Sequence, residues 1–499
     1  MKNFPSVPSN SWKLVIPNVF RNLVAKMRES SRESPIINRL MLEILTDLRS
    51  TIPKALTRPG DQVLKYVGYK HRFTFSLSLL FACSAFSEVT QDPHSHLEVA
   101  IQAAQDYCST TAFQIVSDKF QFLTEMSSQP SCEDTFHVVD IGMLADRYTI
   151  WHQYLPQVTP HYAVKTNNDV VISAVLAGLG TSFDCASQNE IEQVLALGVS
   201  PSRIIFAHPR KAPASIVYAK KMGVDLLTFD SIEEMEKITT LYPEANLLLR
   251  IKTDDSHSAI PLSQKFGATL EESYEILAVG FAQKARIIGI AFHVGSNCKH
   301  MDSYRMAILD AAELFQHSKD HWNRELSVLD LGGGWPGTDD DSFIAIAQLV
   351  SKLIQTHFPP TTRIIAEPGR YFAARTTTLA TKVIGKKHLK QTNKKAYYLA
   401  NGVYGFFNSS LYYEFNFEKI LSEGWLINPL QPNSNSRFPS LLWGPTCDSG
   451  DKIIDDISLP EMETGDYITV ENLGAYSKSM ETFFNGIPLS KPYYICEQK

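Results

Sequence analysis

This chain contains no C-x-x-C pair. Its seven cysteines (Cys83, Cys108, Cys132, Cys185, Cys298, Cys447 and Cys496) are odd in number and scattered. That argues against a disulfide framework and against a zinc site, and it suits a reducing compartment. No metal is expected. A membrane-length apolar run is missing too. The stretch Phe73 to Phe86 follows Lys70-His71-Arg72 and has the length and flanks of a signal-peptide core. It lies well inside the chain and is too short to span a bilayer as a helix. The preferred reading is a buried core segment, and an internal signal with translation starting at Met41 is the other. Excess positive charge is absent, since the net charge is −6, so neither a nucleic-acid nor a membrane partner is expected. Repeats and low-complexity segments are absent as well.

At 499 residues the chain is long enough for two or three domains, and 44% hydrophobic with 20% charged residues is ordinary for a globular protein. Residues 1–28 carry no Asp or Glu, and Val19, Phe20, Leu23, Val24 and Met27 fall on one helical face. An organelle transit peptide and a basic amphipathic helix packed on the body or on a partner both fit. Cytoplasmic location is the expectation, with an organelle as the alternative if residues 1–28 are a transit peptide. A second helix is predicted from Ser34-Pro35 to Leu48, with Ile36, Ile37, Leu40, Met41, Ile44, Leu45 and Leu48 in its stripe.

From about residue 135 strands and helices alternate. Strand candidates are 161–165, 181–185, 203–207, 224–229, 246–251, 287–293, 326–331 and 363–367. Eight strands separated by helical stretches predict an α/β fold, a (β/α)8 barrel. After Tyr371 the alternation stops, and strand-like runs at 395–399, 467–471 and 492–496 predict a C-terminal β-rich domain, which the early strand at 136–140 would join. The expected division is an extension of unknown role (1–104), a segment contributing to the β domain (105–150), the barrel (151–375) and the β domain (376–499). Residues 428–436, rich in Asn and Pro, read as an exposed loop.

In such barrels chemistry sits at the C-terminal strand ends. In order, these ends give Lys165, Asp184, His208, Arg250, His293, Gly332-Gly333-Gly334 and Glu367-Pro368-Gly369-Arg370. Lys165, closing an apolar run, is either a lysine reaching water or an amine desolvated enough to be unprotonated part of the time and to form a Schiff base. The three glycines leave backbone N–H groups bare for an anion, or simply make a tight turn. Glu367 can hold a pyridinium nitrogen protonated or pair with Arg370 or Arg363. His293 can stack on a planar cofactor or sit satisfied in the core. Cys447, among small and acidic neighbours after Gly444-Pro445, is either an inert thiol or a reactive loop cysteine.

These residues lie in segments that together resemble the eukaryotic-type ornithine decarboxylases, fold-type III pyridoxal phosphate enzymes with an alanine-racemase-like barrel. The segments are YAVKTNND (162–169), FDCASQNEIE (183–192), RIKTDDS (250–256), KFGAT (265–269), FHVGSNC (292–298), LDLGGGWPG (329–337), EPGRYF (367–372), NGVYGFFN (401–408), WGPTCDSGD (443–451) and ENLGAY (471–476). Any one is a weak signal, but ten in the family's order are specific. The resemblance implies pyridoxal 5'-phosphate as cofactor and Lys165 as its Schiff-base lysine. It implies Glu367 at the ring nitrogen and His293 on the ring face. Ser296, Gly332, Gly333, Gly334, Gly369, Arg370 and Tyr476 would hold the phosphate, while Asp184, Glu190 and Arg250 set the charge. Cys447 would reprotonate the carbon that loses carbon dioxide. Cys447 and Asp448 would come from the second subunit of a head-to-tail homodimer, with Lys265 and Asp451 bridging that dimer.

Two departures stand out. The family has Leu-Tyr-Asp shortly after the Asn of NGVYGxFN, and that Asp meets the substrate's distal amine. Here Tyr412, Tyr413 and Glu414 occupy the segment, so either Tyr413 or Glu414 replaces the Asp. Asn297 stands where the family usually has Gly. The implied activity is decarboxylation of L-ornithine to putrescine in polyamine biosynthesis. The alternatives are lysine or another cationic amino acid as substrate, and a catalytically silent homologue that acts as antizyme inhibitors do; an antizyme-like regulator is a conceivable partner. Diaminopimelate is disfavoured, because no arginine is evident for its distal carboxylate.

Overall fold

The computed structural model describes residues 93–107, 113–411, 418, 420, 423–432 and 435–498. The expectations for residues 1–92, including the basic amphipathic segment, the helix after Ser34 and the apolar run at 73–86, lie outside the described residues.

Helix α1 (Pro93–Tyr107) precedes a short strand β1 (Phe113–Val116), helix α2 (Lys119–Ser127), strand β2 (Thr135–Asp140) and helix α3 (Gly142–Tyr154). The boundaries expected at residues 104 and 150 both fall inside helices, α1 and α3. α1 is packed through Ala100, Ala103 and Ala104, which are buried in the same apolar layer as the helices around the barrel. Small side chains let its axis approach closely.

The barrel follows. Its strands are β3 (Val158–Ala163), β4 (Ser182–Cys185), β5 (Ile204–Phe206), β6 (Leu226–Phe229), β7 (Asn246–Arg250), β8 (Ile287–Ala291), β9 (Val328–Asp330) and β10 (Arg363–Ala366). They form a closed parallel ring in which β10 pairs with β3. All eight expected strands are present; β3 begins three residues before the expected 161 and stops short of 165, and the other seven are shortened at one or both ends. Ile205, Leu226, Leu248, Ala291, Val328 and Ile365 fill the interior, while the opposite faces meet the helices. Local signals start and stop those helices. Asp169 accepts from the Val171 and Ile172 N–H groups to cap α4 (Val170–Leu179), which Gly180 ends at φ 97°. Thr269 and Glu272 close a capping box on the helix Leu270–Ala282.

The second body is a nine-stranded sheet. β11 (Thr377–Leu389) pairs antiparallel with β2, with β12 (Lys394–Leu399) and with β16 (Tyr467–Glu471). β13 (Leu426–Pro429) pairs with β16, and β14 (Arg437–Trp443) lies between β12 and β15 (Lys452–Pro460). β17 (Lys491–Glu497) runs parallel to both β1 and β2. The early strand thus joins the C-terminal sheet as expected. Asn428 and Pro429, expected in a loop, instead close β13. Among the described residues that strand has one neighbour, β16, and the Leu430 N–H makes the bond to it, so the missing proline N–H costs no ladder bond. Among the described residues no helix is long and apolar enough to cross a membrane.

Candidate active site

β3 stops at Ala163, and a 3-10 turn over Val164–Thr166 carries Lys165 just beyond the strand rather than on it. The turn is pinned to the β sheet. The Tyr162 hydroxyl donates to the Asn167 carbonyl (2.8 Å), the Asn167 amide to the Gly474 carbonyl (2.9 Å), and the Tyr476 N–H to the Thr166 carbonyl (2.8 Å). Tyr476 takes φ 55°, a left-handed conformation uncommon for a bulky residue and held here by that bond.

Lys165 Nζ pairs with the Asp184 carboxylate, whose side chain is wholly buried on β4. Asp184 Oδ1 has no hydrogen-bond partner among the described residues. Asp330, ending β9, and Glu367, just beyond β10, are buried carboxyl groups too; Arg250 acts on both, and Lys165 on Glu367. Burial disfavours the ammonium of Lys165, but Asp184 and Glu367 outweigh it and raise its pKa above the ordinary lysine value. Of the two readings of Lys165, this favours the charged amine while no cofactor is bound. Sequence position did not show that Asp184 and Glu367 face the amine. Burial, then Asp330 and Asp184, drives Glu367 well above the carboxylate range. Burial likewise raises Asp330 and Glu190. Glu190 lies in the first turn of α5 (Gln188–Ala196), where its carboxylate accepts from the Ala186 N–H (2.6 Å).

His293 follows β8. Its Nδ1 accepts from the Gly295 N–H (3.1 Å) and its carbonyl accepts from the Thr253 hydroxyl (2.9 Å). Burial, with Arg250 and Lys165 adding to it, lowers the imidazole pKa well below 6.5, so the ring is neutral. The glycine loop lies against it. A Cβ at Gly333 would come within 2.6 Å of His293 Nε2, and one at Gly332 within 1.9 Å of the Phe292 carbonyl oxygen. The Gly332 N–H donates to Asp330 (2.8 Å), and the Glu367 N–H to the Gly332 carbonyl (2.8 Å). At Gly369 a Cβ would meet Thr166 Oγ1 at 2.0 Å.

The cationic pole is Arg370. Its Nη2 donates to Ser296 Oγ (3.2 Å), its guanidinium lies 5.2 Å from the Tyr476 ring centroid, and its Nη1 pairs with Glu423. On another side, Phe266 carries the Arg250 guanidinium at 5.4 Å and meets the His208 ring edge-on at 5.6 Å.

Cys447 and Asp448 are placed elsewhere, on the loop from β14 to β15. Cys447 is exposed, and its N–H donates to Asn485 Oδ1 (3.1 Å). Asp448 accepts from the Tyr404 hydroxyl. Neither is bonded to Lys165 or Glu367 among the described residues. Asp451, expected to bridge subunits with Lys265, is turned inward and 1% exposed. It accepts from the Val403 and Thr446 N–H groups at 2.9 Å each, tying the Gly444 to Gly450 loop to the segment that follows β12. Tyr412, Tyr413 and Glu414 lie outside the described residues. Sequence reading passed over Phe266 and Glu423 entirely and treated Asp330 as a flank. Asp330 alone had a usable signal, an acid ending a barrel strand.

A pyridoxal phosphate needs an amine for its aldehyde, an acid for its ring nitrogen, a flat neutral face and an anion cradle. Lys165, Glu367 and neutral His293 supply the first three. The cradle is a loop in which Cβ atoms would fill the space, next to an arginine and a serine. The residues present fit the cofactor.

Comparisons with known proteins agree. The family model described as pyridoxal-dependent decarboxylase, pyridoxal binding domain, matches residues 141–374. A probable ornithine decarboxylase of Dictyostelium discoideum is 40% identical over 374 residues, 72% of this chain and 79% of that relative. Antizyme inhibitor 2 of Xenopus laevis is 38% identical over 411 residues, 78% of this chain and 88% of that one. The crystal structure of the Paramecium bursaria Chlorella virus arginine decarboxylase matches with a TM-score of 0.70 at 34% identity, covering 75% of this chain and 100% of the viral one. The chain belongs to the eukaryotic-type ornithine decarboxylase family of pyridoxal phosphate-dependent decarboxylases, and pyridoxal phosphate is its cofactor.

Proposed function

We propose that the protein decarboxylates a basic amino acid, L-ornithine first, releasing carbon dioxide and putrescine for polyamine biosynthesis. The observation that carries this reading is the gathering of Lys165, Asp184, Glu367, His293 and Arg370 at one barrel mouth. The bound cofactor supplies a conjugated ring that takes up the electron pair left when carbon dioxide departs. Lys165 provides the anchoring amine. Glu367, whose pKa burial and acidic neighbours raise, would stand at the ring nitrogen and keep it protonated. His293 covers the ring face without adding charge. Arg370, Ser296, Gly332 to Gly334, Gly369 and Tyr476 hold the phosphate, while Asp184, Glu190 and Arg250 balance the charge around it. Cys447 Sγ gives its proton to the carbon that lost carbon dioxide. Asp448, with Tyr412, Tyr413 or Glu414, receives the distal ammonium.

Exposed Cys447 belongs to a different loop cluster from Lys165. The reading therefore includes a head-to-tail homodimer in which a second copy brings Cys447 and Asp448 to each site. It includes the cytoplasm as compartment, since the chemistry needs Cys447 as a free thiol, as it is here.

The similarity to antizyme inhibitor 2 favours a second reading, a silent regulator. Carbon dioxide release by the cofactor-loaded protein, measured in parallel with ornithine, lysine, arginine and diaminopimelate, decides between them. Turnover of ornithine is the expected result. Preference for lysine or arginine would assign a reset pocket to residues 413–414. No turnover with cofactor bound would overturn the enzyme in favour of the regulator.

A further inference from the structure

Glu423 is a buried carboxylate that the reaction does not use. Its backbone is fixed on both sides. Its carbonyl accepts from the Thr338 hydroxyl (2.9 Å), and the next residue, Gly424, takes φ 84° with its own carbonyl held by the Asn472 amide (2.7 Å). A Cβ at Gly424 would meet Thr338 Cβ at 2.6 Å, so the turn is tight as well as left-handed. The side chain is 1% exposed, pairs with Arg370 Nη1, and accepts from the Asn297 amide (2.9 Å). Asn297 is the residue that stands where the family usually has Gly. It sits at φ 51°, a conformation that asparagine tolerates better than other side chains do. The exchange therefore keeps the backbone path and adds a donor aimed at Glu423. The same guanidinium gives its Nη2 to Ser296. A built-in anion thus shares the arginine of the phosphate cradle.

We propose that Glu423 is a positioning residue that fixes the Arg370 guanidinium and offsets its charge, so that this chain holds the cofactor's phosphate less tightly than its arginine, serine and glycine loop would alone. The inference rests on the reading that Arg370 holds the phosphate. A phosphate group carries about −1.5 to −2 charges at neutral pH, and a fixed carboxylate on the same guanidinium repels it. Glutamine keeps the shape and an acceptor for Arg370 while removing only the charge. Loading of this enzyme then needs a higher cofactor concentration than it would without the acid.

The test is the affinity of the full-length apo chain for pyridoxal phosphate relative to pyridoxal. The ratio isolates the phosphate and cancels the chemistry at Lys165. Glu423→Gln should raise that ratio about tenfold or more. Apo Glu423→Gln should also melt lower than wild type, because Arg370 loses its buried partner, yet gain more from added inorganic phosphate. Kept loaded throughout purification, it should lose cofactor more slowly on dilution. An unchanged or smaller ratio, or equal or faster cofactor loss, overturns the proposal. Arg370→Gln separates the two layers. If it lowers the ratio while Glu423→Gln does not raise it, the proposal alone fails. If it leaves the ratio unchanged, Arg370 does not hold the phosphate and the basis goes too.

Discussion

Lys165 and Cys447 bear on different parts of the chemistry, and single substitutions separate them. Lys165 pairs with the buried Asp184 carboxylate, and no other lysine amine does so among the described residues. Lys165→Ala is expected to fold but to show no protein-bound cofactor absorbance, and an unchanged visible spectrum would remove the anchoring role. Cys447→Ala should keep that spectrum, since the cysteine lies away from the cradle, while diamine formation falls by about a hundredfold or more, as for loss of a general acid. Mixing the two inactive variants should restore about a quarter of wild-type activity if a second copy completes each site. No recovery would place Cys447 and Lys165 of one chain in the same site. At this scale the sequence was legible wherever a residue type has few uses, as with Lys165, Glu367 and the glycines. Glu423 was not legible, because its meaning is the guanidinium it touches.

The glycine loop after β9 shows what an element contributes. Three glycines in a row are ambiguous in sequence, and packing resolves them. Gly332 and Gly334 take φ 57° and 108°, while Gly333 abuts the His293 ring. Gly333→Ala is expected to push that ring from its place and weaken cofactor binding about tenfold or more, with far-ultraviolet circular dichroism intact and a melting temperature lower by a few degrees. Wild-type cofactor affinity in Gly333→Ala would mean that the loop does not shape the cradle. Barrel strands and their helices were legible because period and caps are local, as at Asp169, Thr269 and Gly180. Strand ends were overrun, since Lys165 and His293 leave the ladder to meet partners from other strands. Pro429 was misread for the converse reason. Nothing local says that a strand has only one neighbour.

Across the molecule, two buried histidines report on both bodies. His137 on β2 bonds Ser490 Oγ at 2.9 Å, and His161 lies on β3 inside the barrel wall. Burial pulls each pKa from 6.5 to about 3, with Lys478 adding to the shift for His137 and Arg363 for His161. A depressed folded-state pKa means that the unfolded chain binds the proton first. The stabilising contribution is therefore complete above pH 6.5 and is lost as pH falls towards 3. The stability advantage of wild type over His137→Gln should shrink by about 1.4 kcal/mol per pH unit below 6.5. Urea unfolding at pH 7.5, 6, 5 and 4.5 measures it, and a constant difference would mean that His137 titrates normally. Comparing the two proteins cancels the buried acids, such as Asp140, whose raised pKa acts in the opposite direction.

The sequence by itself determined the barrel, which residues stand at its strand ends, and the family. These depend on hydrophobic period, capping residues and residue types at set positions, all of which act over a few neighbours. Only the tertiary structure decided that Lys165 meets Asp184, that Asp451 turns inward, that β1 and β2 complete a sheet built from the far end of the chain, and that Glu423 shares Arg370. Each of those outcomes depends on groups distant in sequence brought within a few ångströms, where charge and burial act on spatial neighbours and not on chain order.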